Sequence, residues 1–352
     1  MKTIFDYIQS KEIALYYKNS PYNKIQYLGE TLFPANKRLG LDLSWFKGSQ
    51  GLPVLLKPSA FDAKATLRDR QGFSKVETEM PFFREAMRIG EKDRQQLNML
   101  AGATNIDMLR PLLTNIYDDA AKLIESSKVS AEIMRMQLLH SGKISIHDNR
   151  MVYEYDFQHP DEHKEVLIGD AQWDKPESNK IEDLNRWCDL VEENTGERPS
   201  RAIMTRKTFN YFLNDKIIKQ LHYPGSDHTR IVLTEQQVRQ TIMAMTGISI
   251  AIYNKKYATS EGTKNYFPDG KVVLIPDGFL GNTWYGTTPE ESDLMSGSDA
   301  QVSIVNTGIA VTTIKEPHPV NVNTIVSGIF LPSYEKIDNT FIATVYSNSE
   351  GE

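Results

Sequence analysis

The chain has 352 residues, 40% of them hydrophobic and 24% charged, with a formal net charge of −6. That length exceeds what one core usually fills, so about two domains are expected, and the ordinary composition excludes wholesale disorder. The mild acidity excludes a broad basic face for gripping nucleic acid, and no apolar run approaches the roughly 18 residues needed to span a bilayer.

From the amino terminus, Asp6 stands where a signal peptide would carry its apolar stretch. Ile4, Phe5, Ile8, Ile13 and Tyr16 recur at near-helical spacings, and Pro21, Gly29 and Pro34 punctuate the stretch after Tyr16. A short strand is expected at 41–46. Residues 1–50 hold too few apolar side chains for a core of their own, so they read as an arm packed on something else. Residues 63–68 then alternate with period two, 73–80 do so imperfectly, and Asp69-Arg70-Gln71-Gly72 between them has the composition of a turn. An isolated two-stranded hairpin is marginal in water. The residues leave open whether its support lies on the same subunit or on a neighbour.

A long helix is expected over 111–141, opened by Pro111 and stopped by Ser141-Gly142. Leu113, Ile116, Tyr117, Ala120, Ile124, Ser127, Ala131, Met134 and Leu138 form its apolar stripe. The opposite side carries Asp118, Lys122, Glu125, Glu132 and Arg135. At 1.5 Å per residue it runs roughly 45 Å, suited to spine an elongated domain. Mixed α/β patterning comes next: a strand at 151–157, a helix at 181–194 closed by Thr195-Gly196, and a strand at 202–204. Helices at 207–221 and 234–246 come after these, the latter stopped by Gly247, then strands at 248–253 and 271–275. The tail returns to strands at 310–314, 323–331 and 340–346.

Motifs that carry chemistry are absent: no phosphate-cradling G-x-x-x-x-G-K-[ST], no G-x-G-x-x-G, no G-x-S-x-G and no H-E-x-x-H. The single cysteine, Cys188, permits neither an intramolecular disulfide nor a thiolate cluster and reads as a small buried hydrophobe. His159, Asp161, Glu162 and His163 contain metal-ligand types, but Pro160 opposes the helix that would align them, so a solvated loop is expected. His222, Asp227 and His228 flank the turn-like Pro224-Gly225 and read the same way. Trp284-Tyr285 reads as a packed strand end. No catalytic, cofactor or metal site is expected.

One region is more specific. Residues 265–276, Asn-Tyr-Phe-Pro-Asp-Gly-Lys-Val-Val-Leu-Ile-Pro, and 280–290, Leu-Gly-Asn-Thr-Trp-Tyr-Gly-Thr-Thr-Pro-Glu, resemble a signature of the lambda-type major capsid protein E family of tailed bacteriophages. Gly169-Asp170-Ala171-Gln172-Trp173-Asp174 with 181–184, and 324–332 near the carboxyl end, extend the resemblance over about 150–346.

The resemblance implies an α+β, Hong Kong 97-like fold and a structural, non-enzymatic role in the virion. It implies an N-terminal arm at 1–50 and an extended loop at 51–90 that lies across an adjacent subunit. A peripheral domain would comprise 91–159 and 310–352, with its spine helix at 111–141, and an axial domain 160–309. Lys64, Arg68, Asp69 and Arg70 are the expected contacts to the neighbour. Hexamers and pentamers of an icosahedral shell would assemble in the host cytoplasm around a portal protein and enclose loosely held double-stranded DNA, with no membrane partner. Some relatives carry a scaffolding segment ahead of the arm, for which this chain has no room, so a separate scaffolding protein is implied; a decoration protein is a further partner of such shells. No lysine–asparagine–acid trio for covalent crosslinking is matched. Two other readings remain: an encapsulin-like compartment, favoured by a neighbouring cargo gene, and an unrecognised cytosolic α/β enzyme, favoured by a lone monomer or dimer with turnover.

Overall fold

The computed structural model describes residues 7–47, 74–102, 106–148, 151–225, 231–294, 300–317 and 320–346. Two compact units emerge, one from residues 1–44, 77–134 and 282–333, the other from 45–76, 135–281 and 334–352.

The first unit begins with helices α1 (Ser10–Asn19) and α2 (Leu28–Leu32) and strand β1 (Ala35–Lys37). Strands β2 (Asp42–Lys47) and β3 (Ser74–Glu79) pair as a two-stranded ribbon. Residues 73–80 were expected to pair with 63–68, which lies outside the described residues; among the described residues β3 pairs with β2. Alternation marks a strand but does not name its partner, which nonlocal packing selects. After β4 (Phe82–Arg88) and α3 (Glu91–Gly102) comes the long helix α4 (Ile106–Ser141). Its described span starts at Ile106, so Pro111 lies inside the helix rather than at its first position.

Beyond α4 run β5 (Lys143–Asp148), β6 (Met151–Asp156), β7 (Lys164–Val166), α5 (Lys180–Thr195) and β8 (Arg201–Met204). Helices α6 (Arg206–Leu213), α7 (Lys216–His222) and α8 (Glu235–Thr246) follow. Next come β9 (Ser249–Ile252), the hairpin β10 (Lys256–Thr259) with β11 (Gly262–Asn265), and β12 (Lys271–Ile275). The chain closes with β13 (Thr283–Tyr285), β14 (Ala300–Val305), β15 (Ile309–Pro317), β16 (Val320–Pro332) and β17 (Phe341–Thr344).

In the first unit, β16 is the central strand of a six-stranded sheet. Its one side pairs antiparallel with β15, which pairs with β14. Its other side pairs first with β4 and then with β13, to which β1 adds in parallel. Phe83 and Tyr285 close on Phe330, with ring centroids at 4.6 and 5.4 Å.

The second unit is built on a five-stranded sheet in the order β7-β17-β12-β8-β9. The central β12 buries Val272, Val273, Leu274 and Ile275, as a strand covered on both faces requires. Trp173, Trp187, Phe212 and Phe341 form an aromatic cluster, with Trp187 stacked on Phe341 at 5.4 Å and Trp173 edge-on to Phe212 at 4.9 Å. The Trp173 Nε1–H donates to Asp183 at 2.9 Å, so the cluster buries its polar edge satisfied.

The tail divides between the two sheets: β16 centres the six-stranded sheet, whereas β17 enters the five-stranded one beside β12. One expectation is corrected by the helices. The helix expected over 207–221 breaks into α6 and α7 at Asn214-Asp215. Asp215 caps α7 by accepting from the Ile217 and Ile218 amides at 2.9 and 3.1 Å, a local preference stronger than continued apolar periodicity. Its other oxygen accepts from Lys180 Nζ at 2.9 Å, and Lys180 also reaches Ser178 Oγ at 3.0 Å. Both charges are only 4% exposed.

Removing one member of such a pair leaves an uncompensated buried charge. Lys180→Ala is therefore expected to destabilise the second unit by about 3–5 kcal/mol, read as a lowered urea midpoint. Lys180→Ala with Asp215→Asn is expected to recover part of that loss.

Candidate functional site

The charged side of α4 is largely covered, although Lys122 remains exposed. Glu125, Glu132 and Arg135 are 8%, 0% and 2% exposed. Asp118, Glu125 and Glu132 recur every seven residues, close to two helical turns, so they form one row of carboxylates along α4. The row receives the amino-terminal segment. Tyr16 donates to Asp118 at 2.6 Å, Tyr17 and Tyr27 donate to the two oxygens of Glu125 at 3.1 and 2.7 Å, and the Gly29 amide donates to Glu132 at 3.0 Å. Lys128 adds a grip on Asn23, its Nζ donating to the carbonyl at 3.3 Å and to Oδ1 at 3.1 Å. The Tyr117 hydroxyl donates to the Tyr7 carbonyl at 2.5 Å. Residues 7–29 thus pack along α4.

Electrostatics follow from that burial. The hydrogen bond to Asp118, reinforced by desolvation, pushes the Tyr16 hydroxyl up to about 12. Desolvation is also the largest influence on Glu125. It raises the carboxyl above its ordinary value of 4.5, against the opposing pull of the Tyr27 and Tyr17 hydroxyls and Lys128.

Beyond α2 the segment is tied to the six-stranded sheet. The Thr283 amide donates to the Pro34 carbonyl at 2.9 Å, and the Thr283 hydroxyl to the Phe33 carbonyl at 2.9 Å. Lys37 Nζ bridges the Gly286 carbonyl at 3.0 Å and Glu291 at 2.6 Å. Gly40 adopts φ +89°, a left-handed conformation that favours glycine, and a Cβ at Gly286 would lie 2.7 Å from the Gly40 carbonyl oxygen, so the close approach requires glycine at 286. Arg38 then donates to the Ser44 carbonyl and hydroxyl at 3.0 Å each, fixing the start of β2. From there the ribbon leads to residues 48–73. Lys64, Arg68, Asp69 and Arg70, the expected contacts, lie outside the described residues.

The histidine pair corrects an expectation. Asp161 is solvated, but His159 and His163 are both buried. His159 Nε2 lies 3.1 Å from the Thr340 hydroxyl, and His163 Nε2 3.0 Å from Asn194 Nδ2. A 3₁₀ turn at Asp161–His163 turns the acids outward and the rings inward, which the polar composition concealed. Desolvation lowers the His163 pKa, so the neutral ring is favoured. His222 Nε2 meets the Thr241 hydroxyl at 2.7 Å; Asp227 and His228 lie outside the described residues. Among the described residues no group of three or more His, Cys, Asp or Glu converges as metal ligands would. Cys188 is buried, as expected, and desolvation pushes its thiol up to about 12, far from a reactive thiolate. Tyr285 is buried in β13 and Trp284 Nε1 donates to Ser333 at 3.0 Å, the expected packed strand end. No helix among the described residues is long and apolar enough to cross a membrane.

The residues that sequence reading missed are the acid row and its three tyrosines. The seven-residue spacing was visible, but only a partner segment distinguishes a docking row from a solvated one.

Glu125→Ala is expected to loosen the arm, at a cost of about 1–3 kcal/mol for each buried hydroxyl left without an acceptor. Faster tryptic cleavage at Lys18 and Lys24 would report it. Because the folded state raises the Glu125 pKa, this group's contribution is full below 4.5 and is lost as pH climbs through the raised value. Denaturation midpoints measured across pH are expected to show that decline in the native protein and a flatter profile in Glu125→Gln.

A search of curated proteins finds no match. Among solved structures, a putative capsid protein of a prophage from E. coli CFT073 superposes with a TM-score of 0.59 at 16% identity, covering 96% of this chain and 99% of that one. A phage-related protein from Bordetella bronchiseptica RB50 gives 0.54 at 11% identity, covering 96% of each chain. The capsid of cyanophage A-1(L) gives 0.51 at 12% identity, covering 91% and 92%. At these identities the likeness establishes the fold, which is of the Hong Kong 97-like capsid class. Family membership rests on the sequence itself, which matches the phage major capsid protein E family over residues 10–345. The chain belongs to that family and is a structural capsid protein of a tailed phage, a self-assembling component of the virion shell rather than an enzyme.

Proposed function

We propose that this chain builds the hexamers and pentamers of an icosahedral shell around double-stranded DNA, with residues 48–73 reaching across to an adjacent subunit. The observation that carries this reading is the geometry at the root of that segment. Strands β2 and β3 pair with each other, so the intervening residues leave and return at one place, and the arm leading into β2 is tied to α4 and β13. In this reading Lys64, Arg68, Asp69 and Arg70 make polar contacts on the neighbour. The unit containing the six-stranded sheet acts as the peripheral domain, and the unit containing the five-stranded sheet as the axial domain.

Each such contact needs only modest strength, because many weak interfaces add up in a closed shell. The net charge of −6 suits a container that holds DNA without adhering to it. Assembly in the host cytoplasm would use a separate scaffolding protein, start at a portal protein and admit a decoration protein on the finished shell.

Deleting residues 62–74 tests this directly. The variant is expected to remain folded, with an unchanged circular-dichroism spectrum, yet to elute as subunits or capsomers where the native chain forms shells visible by electron microscopy. Intact shells from the deletion variant would sink the assigned role of this segment.

A further inference from the structure

A groove of about 640 Å³ runs between α1 and β14 in the first unit. One wall is Lys11, Ala14, Leu15 and Lys18, which at spacings of three, four and seven residues share one face of α1. The opposite wall is residues 302–306, along β14 and the turn after it. Strand β14 ends its sheet: it pairs with β15 on one side, and among the described residues no strand pairs with its other side. Ser10 and Ser303, with hydroxyl oxygens 3.0 Å apart, hold helix and strand together at the groove. Leu15 is 55% exposed. Neither lysine meets a carboxylate among the described residues.

An unpaired strand edge facing the side of a helix is the geometry by which extended peptides are captured through strand addition. We propose that this groove takes an extended acidic segment of another protein, added as a strand along β14. Its apolar side chains would pack on Ala14 and Leu15 while its carboxylates meet Lys11 and Lys18. Seven helical residues separate the lysines by about 10 Å along the axis. Same-face positions on a strand are about 7 Å apart at two residues and 13 Å at four. The long lysine side chains reach either spacing.

Charge selects this occupant over others. A second copy pairing edge to edge would present β14 itself, Ala-Gln-Val-Ser-Ile-Val, which has no acid to meet the lysines. Nucleic acid would meet only two cations beside an apolar floor, on a chain of net charge −6. This inference concerns the unassembled subunit, so it stands or falls separately from the shell reading.

The test uses fluorescence anisotropy on the full-length unassembled protein. The probes are a labelled octapeptide of the repeat Glu-Ser-Val-Ser, which places its glutamates and valines on one strand face, and a control with lysine in place of glutamate. The acidic peptide is expected to bind and the basic one not. Lys11→Glu with Lys18→Glu is expected to weaken the acidic peptide by about tenfold or more and to favour the basic one, because like charges across an interface are costly. Leu15→Asp, at an exposed position, is expected to weaken the acidic peptide without altering the circular-dichroism spectrum. Three results would overturn the proposal: binding of neither peptide, an unchanged preference in the charge-reversed protein, or a change in the protein's own oligomeric state on charge reversal without peptide binding, which would assign the groove to a second copy.

Discussion

An ionised carboxylate removed from water is costly unless donors replace its hydration. Glu125 and Glu132 occupy that position on α4, and their donors come from the amino-terminal segment: the phenols of Tyr17 and Tyr27 and the amide of Gly29. The dependence runs both ways. Without residues 7–33 the helix would expose these acids to water, and the segment has too little apolar surface to fold alone. Two tyrosines on one carboxylate also fix position along the helix as well as attachment, because a shift of one turn would part both hydroxyls from their acceptor.

Everything downstream inherits that register. With Gly29 fixed, Phe33 and Pro34 meet Thr283, β1 lies beside β13, and Lys37 reaches Gly286 and Glu291. The left-handed backbone at Gly40 then turns the chain toward β2. Hydrogen bonds to buried acids are directional, so they define position more sharply than apolar packing does.

The second unit is organised differently. Its centre is an aromatic cluster on a five-stranded sheet, and its deeply buried ion pair, Lys180 with Asp215, links the start of α5 to the start of α7. The cap at Asp215 shows how a single polar residue redirects a chain. An apolar pattern that would support one helix is divided into two because the aspartate both caps the second helix and receives a buried lysine.

By itself the sequence determined the elements whose signals are local. The helix at 180–195 with its glycine stop, the helix at 235–246 stopped by Gly247, the apolar run at 271–275 and the long helix all carry their own periodicity or stops. Family-like stretches between 265 and 331 also pointed to the capsid class. Short polar strands such as 256–259 and 262–265 escaped notice because their alternation is weak and their partners supply the order. Tertiary structure alone decided that β3 pairs with β2, that β17 leaves the rest of the tail, and that His159 and His163 are interior. It also decided that the charged side of α4 is a docking face. A carboxylate row has the same spacing whether water or a tyrosine hydroxyl occupies it, and only the folded chain brings Tyr16, Tyr17 and Tyr27 within reach.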